Sequence, residues 1–245
     1  MYLNYKQRIT IKKKHQKLFV FDIDGTIRET NGIVSFGMKT ILKKIIKNHH
    51  LSFASGKSVE YITGFCRALK LKDTVIIAEN GAIIRLNAHF PPNEYYRYKK
   101  SEKLQNLFLK IKTDFTTEYK NKIRFQQNHI NLTIFPNNIK NIESIHNKAK
   151  TYIRHKEITT YFHCDCVEFI PAKVSKGKSL EKIMKFFNIK KENVYAFGNG
   201  ENDIPLFEKA GNIITVGRLK TNLKIKKNLA SIEKLEEYLK NILNL

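Results

Sequence analysis

The run from Lys17 to Ile23, KLFVFDI, constrains this chain more than any other segment: apolar, β-branched and aromatic residues in succession, stopping at Asp22-Ile23-Asp24-Gly25-Thr26. An uninterrupted apolar stretch of this length reads as a strand covered on both faces, as in parallel sheets, and the acid-rich, glycine-containing sequence after it reads as the strand's exit into a loop. Met38, Leu42, Ile45 and Ile46 then recur at helical spacing. A second strand is expected from His50 to Ala54, ending at Ser55-Gly56, then a helix from Val59 to Leu69, and a third strand from Thr74 to Ala78, ending at Glu79-Asn80-Gly81. Strand and helix alternate, which predicts an α/β fold built on a parallel sheet with crossover helices.

The periodicity changes after Arg85. Tyr95 to Lys99 reads as a strand, Ser101 to Phe115 as a helix, and Lys122 to Gln126 and Ile130 to Phe135 as two strands. A helix over Asn138 to Lys156 and strands over Ile158 to Phe162 and Val167 to Ile170 repeat that order. The alternation of the first part resumes from Lys178, with a helix to Phe187, strands at Asn193 to Phe197 and Asn212 to Val216, and a final helix from Ile232. The organisation expected is therefore a Rossmann-like doubly wound core over 17–85 and 167–245. It is interrupted by an α+β unit of order αββαββ over 86–166 and preceded by a basic extension over 1–16.

With 245 residues, 45 Lys and Arg against 22 Asp and Glu, and three Cys, the chain is neither a disulfide scaffold nor a low-complexity polymer. No apolar run approaches the roughly 20 residues of a spanning helix, so a soluble cytoplasmic protein with no membrane association is expected. The formal charge of +23 raises nucleic acid as a partner. The excess is spread along the chain, however, and only Lys6, Arg8, Lys12, Lys13, Lys14 and Lys17 form an acid-free block, so the charge reads as solubility and steering of anionic substrates. His163-Cys164-Asp165-Cys166 has the wrong alternation to converge on one zinc ion, and reduced thiols are expected.

In open parallel sheets ligands bind at the carboxyl ends of the strands. Three such ends carry chemistry: Asp22 to Thr26, Ser55-Gly56-Lys57, and Gly198-Asn199-Gly200-Glu201-Asn202-Asp203. Taken alone, the first also reads as a turn with an Asx cap. Taken together, they point to one site, in which two carboxylates two residues apart reach a divalent cation and an oxygen-rich set of Asp and Asn suits Mg²⁺. Gly25 lets the turn approach an anion with its N–H groups exposed.

These segments, with Lys176 in Val174-Ser175-Lys176-Gly177, resemble the four ordered motifs of the haloacid dehalogenase superfamily. Asn80-Gly81-Ala82 and Glu168-Phe169-Ile170-Pro171 resemble its Cof-like members, and the inserted unit resembles the C2B type of cap found in sugar-phosphate phosphatases of that branch. The resemblance implies Asp22 as the nucleophile that forms an aspartyl-phosphate and Asp24 as the general acid and base. It implies Ser55, Gly56, Lys176 and Asn202 on the phosphoryl group, and Mg²⁺ held by Asp22, Asp24 (through its carbonyl), Asn199 and Asp203. Lys178 competes with Lys176. Asn199 stands where the family usually has Asp, and Lys57, where Arg is frequent, reads as a surface or rim cation. Glu79 reads as a site-lining or turn residue, while Lys122, Arg124, His129 and His163 are the specificity candidates of the cap.

The function expected is Mg²⁺-dependent hydrolysis of small phosphorylated metabolites, sugar phosphates foremost. The alternatives are a phosphomannomutase-like mutase, a nucleic-acid end phosphatase, and a catalytically silent nucleic-acid-binding module; the oligomeric state is left open.

Overall fold

The computed structural model describes residues 17–30 and 32–244, so the basic extension expected at 1–16 lies outside the described residues. Strand β1 (Leu18–Phe21) leads through α1 (Phe36–Asn48) to β2 (His50–Ala54), and α2 (Val59–Ala68) leads to β3 (Val75–Ala78). A short antiparallel pair follows, β4 (Ile83–Arg85) and β5 (Glu94–Arg97). The second unit comprises α3 (Glu102–Tyr119), β6 (Ile123–Phe125), β7 (Leu132–Pro136), α4 (Ile142–Lys150), β8 (Ile158–Phe162) and β9 (Val167–Pro171). The chain returns through α5 (Lys176–Phe187), β10 (Val194–Gly198), α6 (Ile204–Lys209), β11 (Asn212–Val216), β12 (Lys227–Leu229) and α7 (Ile232–Leu243). Several helices begin after a serine whose hydroxyl accepts an N–H three residues on, as Ser35 does from Met38 and Ser101 from Leu104, which satisfies one of the unpaired donors of the first turn.

The large sheet has the order β12-β11-β10-β1-β2-β3-β4-β5, parallel from β12 to β3. Alternation along β1 divides its side chains between two cores. Phe19 and Phe21, with Phe53, Phe197 and Ile214, pack beneath α1, α2 and α7. Leu18 and Val20, with Ala54, Ile77 and Ala196, pack beneath α5 and α6. Both faces of the parallel strands are thus buried, the reason the sequence shows continuous apolar runs there. The phenyl rings of Phe21 and Phe197, neighbours across β1 and β10, stack with centroids 4.2 Å apart.

The smaller sheet, β6-β7-β9-β8, is antiparallel throughout, and its apolar face, with Ile134, Val167 and Phe169, packs on Phe108, Ile111 and Phe115 of α3 and Ile145 of α4. The expected boundaries at 86 and 166 need correction at both ends. The segment from Glu94 extends the large sheet by pairing with β4, and Val167–Pro171 is the central strand of the small sheet between β7 and β8. The short β4, α6 and β12 have too few residues for a readable periodicity.

Glu79, at the exit of β3, joins the two units. It is fully buried, and its carboxylate accepts the backbone N–H groups of His129 (2.9 Å), Ile130 (2.7 Å) and Asn131 (3.1 Å), while the Asn131 side-chain amide donates to the Glu79 carbonyl (2.7 Å). Glu79 and Asn80 both hold left-handed backbone angles, φ 50° and 54°. Such angles cost non-glycine residues about 1–3 kcal/mol each and persist where the surroundings fix them, as these hydrogen bonds do. Glu79→Ala strands two buried donors, those of Ile130 and Asn131, and releases a third at His129, and is expected to destabilise the protein by about 3 kcal/mol, read as a lower urea midpoint, with faster amide exchange at 129–131.

Candidate active site

Four adjacent parallel strands, β10, β1, β2 and β3, release their chains at the same edge, and the expected site residues stand there. Asp22 follows β1 and is tied to its neighbour by its N–H to the Phe197 carbonyl (2.8 Å). Asn199 follows β10, Ser55 follows β2, and Asn80 follows β3. Gly25, at φ 75°, passes so close to Asn199 that a Cβ would overlap the side-chain amide, which lets the two loops interlock. Thr26 adds a long contact from its hydroxyl to Asn199 Oδ1 (3.4 Å).

Lys176 reaches this edge from the opposite direction. Ser175 caps α5 through its hydroxyl, which accepts the Lys178 N–H, so Lys176 is the first residue of the helix. Its Nζ is completely buried, 2.8 Å from Asp22 Oδ1 and 2.7 Å from Asp203 Oδ1. Burial alone would lower its pKa, but the charges of Asp203 and Asp22 outweigh that and hold it above the usual lysine range. For Asp22 the balance tips the other way. Burial, with the nearby charges of Asp203 and Asp24, raises it to about 7 against the favourable field of Lys176.

Asp203 is placed differently from a residue facing a ligand. It is wholly buried, its Oδ1 is taken by Lys176, and its Oδ2 accepts the N–H groups of Asn199 and Gly200, both at 3.0 Å. It shapes the β10 loop and holds the lysine. The donors left facing the cavity are those of Asp22, Asp24 and Asn199. They are all oxygens (a carboxylate beside an amide oxygen, with a second carboxylate two residues on), and this chemistry fits a hard divalent cation that keeps several of its waters. Among the described residues no group of three or more His, Cys, Asp and Glu side chains is disposed around a common point.

The cavity above these groups measures ≈ 210 Å³. Its floor includes Asp22, Asp24, Ser55, Gly56, Asn199 and Asn202, and its far wall comes from the second unit, with Gln126, Phe135, His163, Asp165 and Glu168. The two sides are stitched together. Asn202 donates to Asn80 Oδ1 (3.0 Å), Asn80 donates to Glu168 Oε2 (3.0 Å), and His163 Nε2 lies 3.0 Å from that same oxygen. Gln126 donates to the Gly56 carbonyl (3.0 Å), and a Cβ on Gly56 would stand 2.5 Å from Glu168 Oε1, so glycine is what lets the cap carboxylate approach. Lys57 sits at the rim, 3.6 Å from Asp24 Oδ2, and also lines an adjoining groove of ≈ 500 Å³ with Arg124 and Phe135.

Of the cap residues singled out in the sequence, His163 lines the cavity and Arg124 the groove, whereas His129 pairs with Glu60 (3.0 Å) and Lys122 lies in the turn before β6. Lys178 is exposed on the outer side of α5. Sequence reading gave no role to the Asn80–Glu168 bridge, although both residues belong to segments that carry the family resemblance. Arg28, which bonds to Asp24, had no signal at all.

The His163–Glu168 pair has a defined pH window. Burial opposes the charge on His163, yet its bond to Glu168 raises its pKa above 6.5; burial likewise opposes the charge on Glu168, and His163 brings its pKa below 4.5. The pair's contribution is complete between those two unfolded-state values. It fades as pH rises through the raised histidine value or falls through the lowered glutamate value. The excess thermal stability of the native protein over His163→Ala, followed by scanning calorimetry, is expected to peak near about pH 5.5 and shrink steadily toward pH 9.

Comparison with known proteins agrees with this geometry. The family model described as haloacid dehalogenase-like hydrolase matches residues 19–107 and 86–233. Phosphoglycolate phosphatase 1 of Saccharolobus solfataricus is 26% identical over 214 residues, covering 85% of this chain and 86% of that protein. A phosphoglycolate phosphatase of Methanosarcina acetivorans is 26% identical over 218 residues, covering 82% and 83%. Among solved structures, a haloacid dehalogenase-like hydrolase from Bacteroides thetaiotaomicron superposes with a TM-score of 0.75 at 16% identity over 93% of this chain and 100% of that one. The C-terminal domain of trehalose-6-phosphate phosphatase from C. albicans gives 0.75 at 14% identity over 94% and 93%. With the family pattern spanning both flanks of the inserted unit and the fold matched over 93% of the chain, the chain belongs to the haloacid dehalogenase-like hydrolases.

Proposed function

We propose that the protein is a Mg²⁺-dependent phosphatase of small phosphorylated metabolites, with sugar phosphates as its substrate class. The observation that carries this reading is the completely buried Lys176 held between Asp22 and Asp203 beneath a cavity lined by carboxylates, amides and the Ser55 hydroxyl. Asp22 attacks phosphorus through the oxygen that Lys176 does not engage, and Lys176 neutralises charge on the carboxylate and on the phosphoryl oxygens. Ser55 and the Gly56 N–H orient those oxygens, with Asn202 held in place by Asn80. Asp24 gives a proton to the departing oxygen and then takes one from the water that releases phosphate from Asp22. Mg²⁺, when held by Asp22, Asn199 and the Asp24 carbonyl, supplies the positive charge that lets Asp22 stay ionised and the phosphate approach it.

Two features support the choice of substrate class. A cavity of ≈ 210 Å³ between core and cap matches a small metabolite in size, which favours the metabolite reading over the nucleic-acid alternatives. The far wall carries Asp165, an acceptor for hydroxyl groups that repels a carboxylate, beside Glu168, whose charge His163 balances. Several relatives are named phosphoglycolate phosphatases, and their substrate carries a carboxylate next to its phosphoester. In this chain a sugar hydroxyl suits the wall better.

A phosphate-release assay with Mg²⁺ over a panel of metabolites tests the reading. Hexose and pentose phosphates are expected to exceed 2-phosphoglycolate in kcat/KM by about tenfold or more, without a bisphosphate activator, which also separates the hydrolase from a mutase. Asp22→Asn is expected to lower turnover by at least about a thousandfold with an unchanged circular dichroism spectrum. Activity within a few fold of native would remove Asp22 from its role. Asn199→Asp restores a carboxylate at the metal position and is expected to tighten Mg²⁺ binding by about tenfold in isothermal titration; unchanged or weaker binding would exclude Asn199 as a ligand.

A further inference from the structure

The loop after β1 closes on itself. Asp24 and Arg28 form an isolated bridge, and the Gly25 N–H donates to the Arg28 carbonyl (2.8 Å). This places the Arg28 side chain directly behind Asp24, in a site that is 8% exposed. Its guanidinium is fixed at several points: Nη1 donates to the Gly32 carbonyl (3.0 Å), Nη2 to the Tyr61 hydroxyl (2.6 Å), and the face of Phe65 lies 5.2 Å from Cζ. The contact with Asp24 is unusual in form. Arginine and carboxylate prefer a fork in which two nitrogens meet two oxygens. Here Nε (3.0 Å) and Nη2 (2.8 Å) both converge on Oδ1, and Oδ2 is left with Lys57 Nζ at 3.6 Å on the cavity rim.

We infer that Arg28, itself steadied by Tyr61, is a positioning residue that pins one oxygen of Asp24 and so presents the other to the substrate's leaving oxygen. The inference rests on the acid–base role proposed for Asp24. In the first half-reaction the Asp22–phosphorus bond forms and the bond to the leaving oxygen breaks. The electron pair goes to that oxygen, and the proton on Asp24 Oδ2 passes to it. In the second half-reaction Oδ2 accepts a proton from the water that attacks phosphorus and frees Asp22. A side chain free to rotate about χ1 and χ2 would present that oxygen only part of the time. A carboxylate tethered by two N–H groups on its other oxygen has that choice removed, which is the orienting logic of a base held by a third group.

The test uses leaving groups. An alkyl phosphate such as glucose 6-phosphate needs the proton, whereas p-nitrophenyl phosphate leaves as a stable anion without it, and kcat/KM reports the first half-reaction for both. Asp24→Asn serves as the benchmark and is expected to lose about a hundredfold or more on the alkyl ester and far less on the aryl ester. Arg28→Met is expected to reproduce that selectivity with about a tenfold or greater alkyl loss and an aryl change within about threefold, and Arg28→Lys to recover part of it. Tyr61→Phe, at a position 42% exposed where folding is safe, is expected to show the same selectivity at about threefold. Equal losses on both esters in the Arg28 and Tyr61 variants, or no loss on either, while Asp24→Asn stays selective, would overturn the positioning role. A non-selective Asp24→Asn would overturn the acid role of Asp24 and the inference with it.

Discussion

An ammonium group at the first residue of a helix sits against the positive end of the helix dipole, and one with no solvent contact also forgoes its hydration. Lys176 accepts both penalties, and only two carboxylates at 2.8 and 2.7 Å make the position tolerable. Much of the catalytic edge follows from that arrangement. Asp22 brings β1 to it and Asp203 brings the β10 loop, so three segments distant in sequence are held to a common centre. The two loop N–H groups on Asp203 Oδ2 leave this carboxylate little freedom to turn toward the cavity. Removing either acid would leave a buried cation short of compensation, a change that costs about 3–5 kcal/mol when a buried pair is broken.

Around this centre nearly every charge has its own partner: Asp203 with Lys176, Asp24 with Arg28, and Glu168 with His163. Asp22 shares its lysine with Asp203 and faces Asn199, a neutral amide, across the strand ends. It is therefore the under-compensated carboxylate: burial raises its pKa to about 7 because Lys176, shared with Asp203, offsets too little of it, while Glu168, also buried, is driven down by His163. The residue proposed to need a divalent cation is the one whose protein surroundings supply least positive charge.

The parts of the fold legible in the sequence were those that repeat. β1, β2 and β3 are long enough, and buried on both faces, to appear as apolar runs, and the αββαββ order of the cap followed from its alternating periods. The strand over 167–171 was readable as part of the second unit's αββαββ order although the expected boundary fell before it, whereas nothing local in β5 says which of two sheets it will join. The residues at the strand exits could be recognised because glycine and paired acids are too specific for ordinary turns. Arg28, Glu79 and Glu168 act through partners from 4 to 88 positions away, contacts that exist only once the chain has folded. Glu79 illustrates the point: its acidic side chain at a strand exit suggested either a place in the cavity or a turn role, and it is spent on the backbone of the cap.

The two polar seams between core and cap differ in what they bind, and that difference bears on access to the cavity. Glu79 grips backbone N–H groups, which cannot rotate away, so the joint beside β3 is stiff. Glu168 grips Asn80 and His163, side chains that have rotamers to change and that stand in or beside the cavity wall. The adjoining groove is bordered by the cations Lys57 and Arg124, with Asp165 shared between it and the inner wall. An anionic ester is drawn toward the cationic rim, while a bare carboxylate beyond it meets Asp165. For the sugar phosphates proposed as substrates, entry by way of the groove, with the phosphate moving inward to Lys176 and the hydroxyl-bearing part left against the cap, satisfies both fields. The reverse orientation would set the phosphate against Asp165.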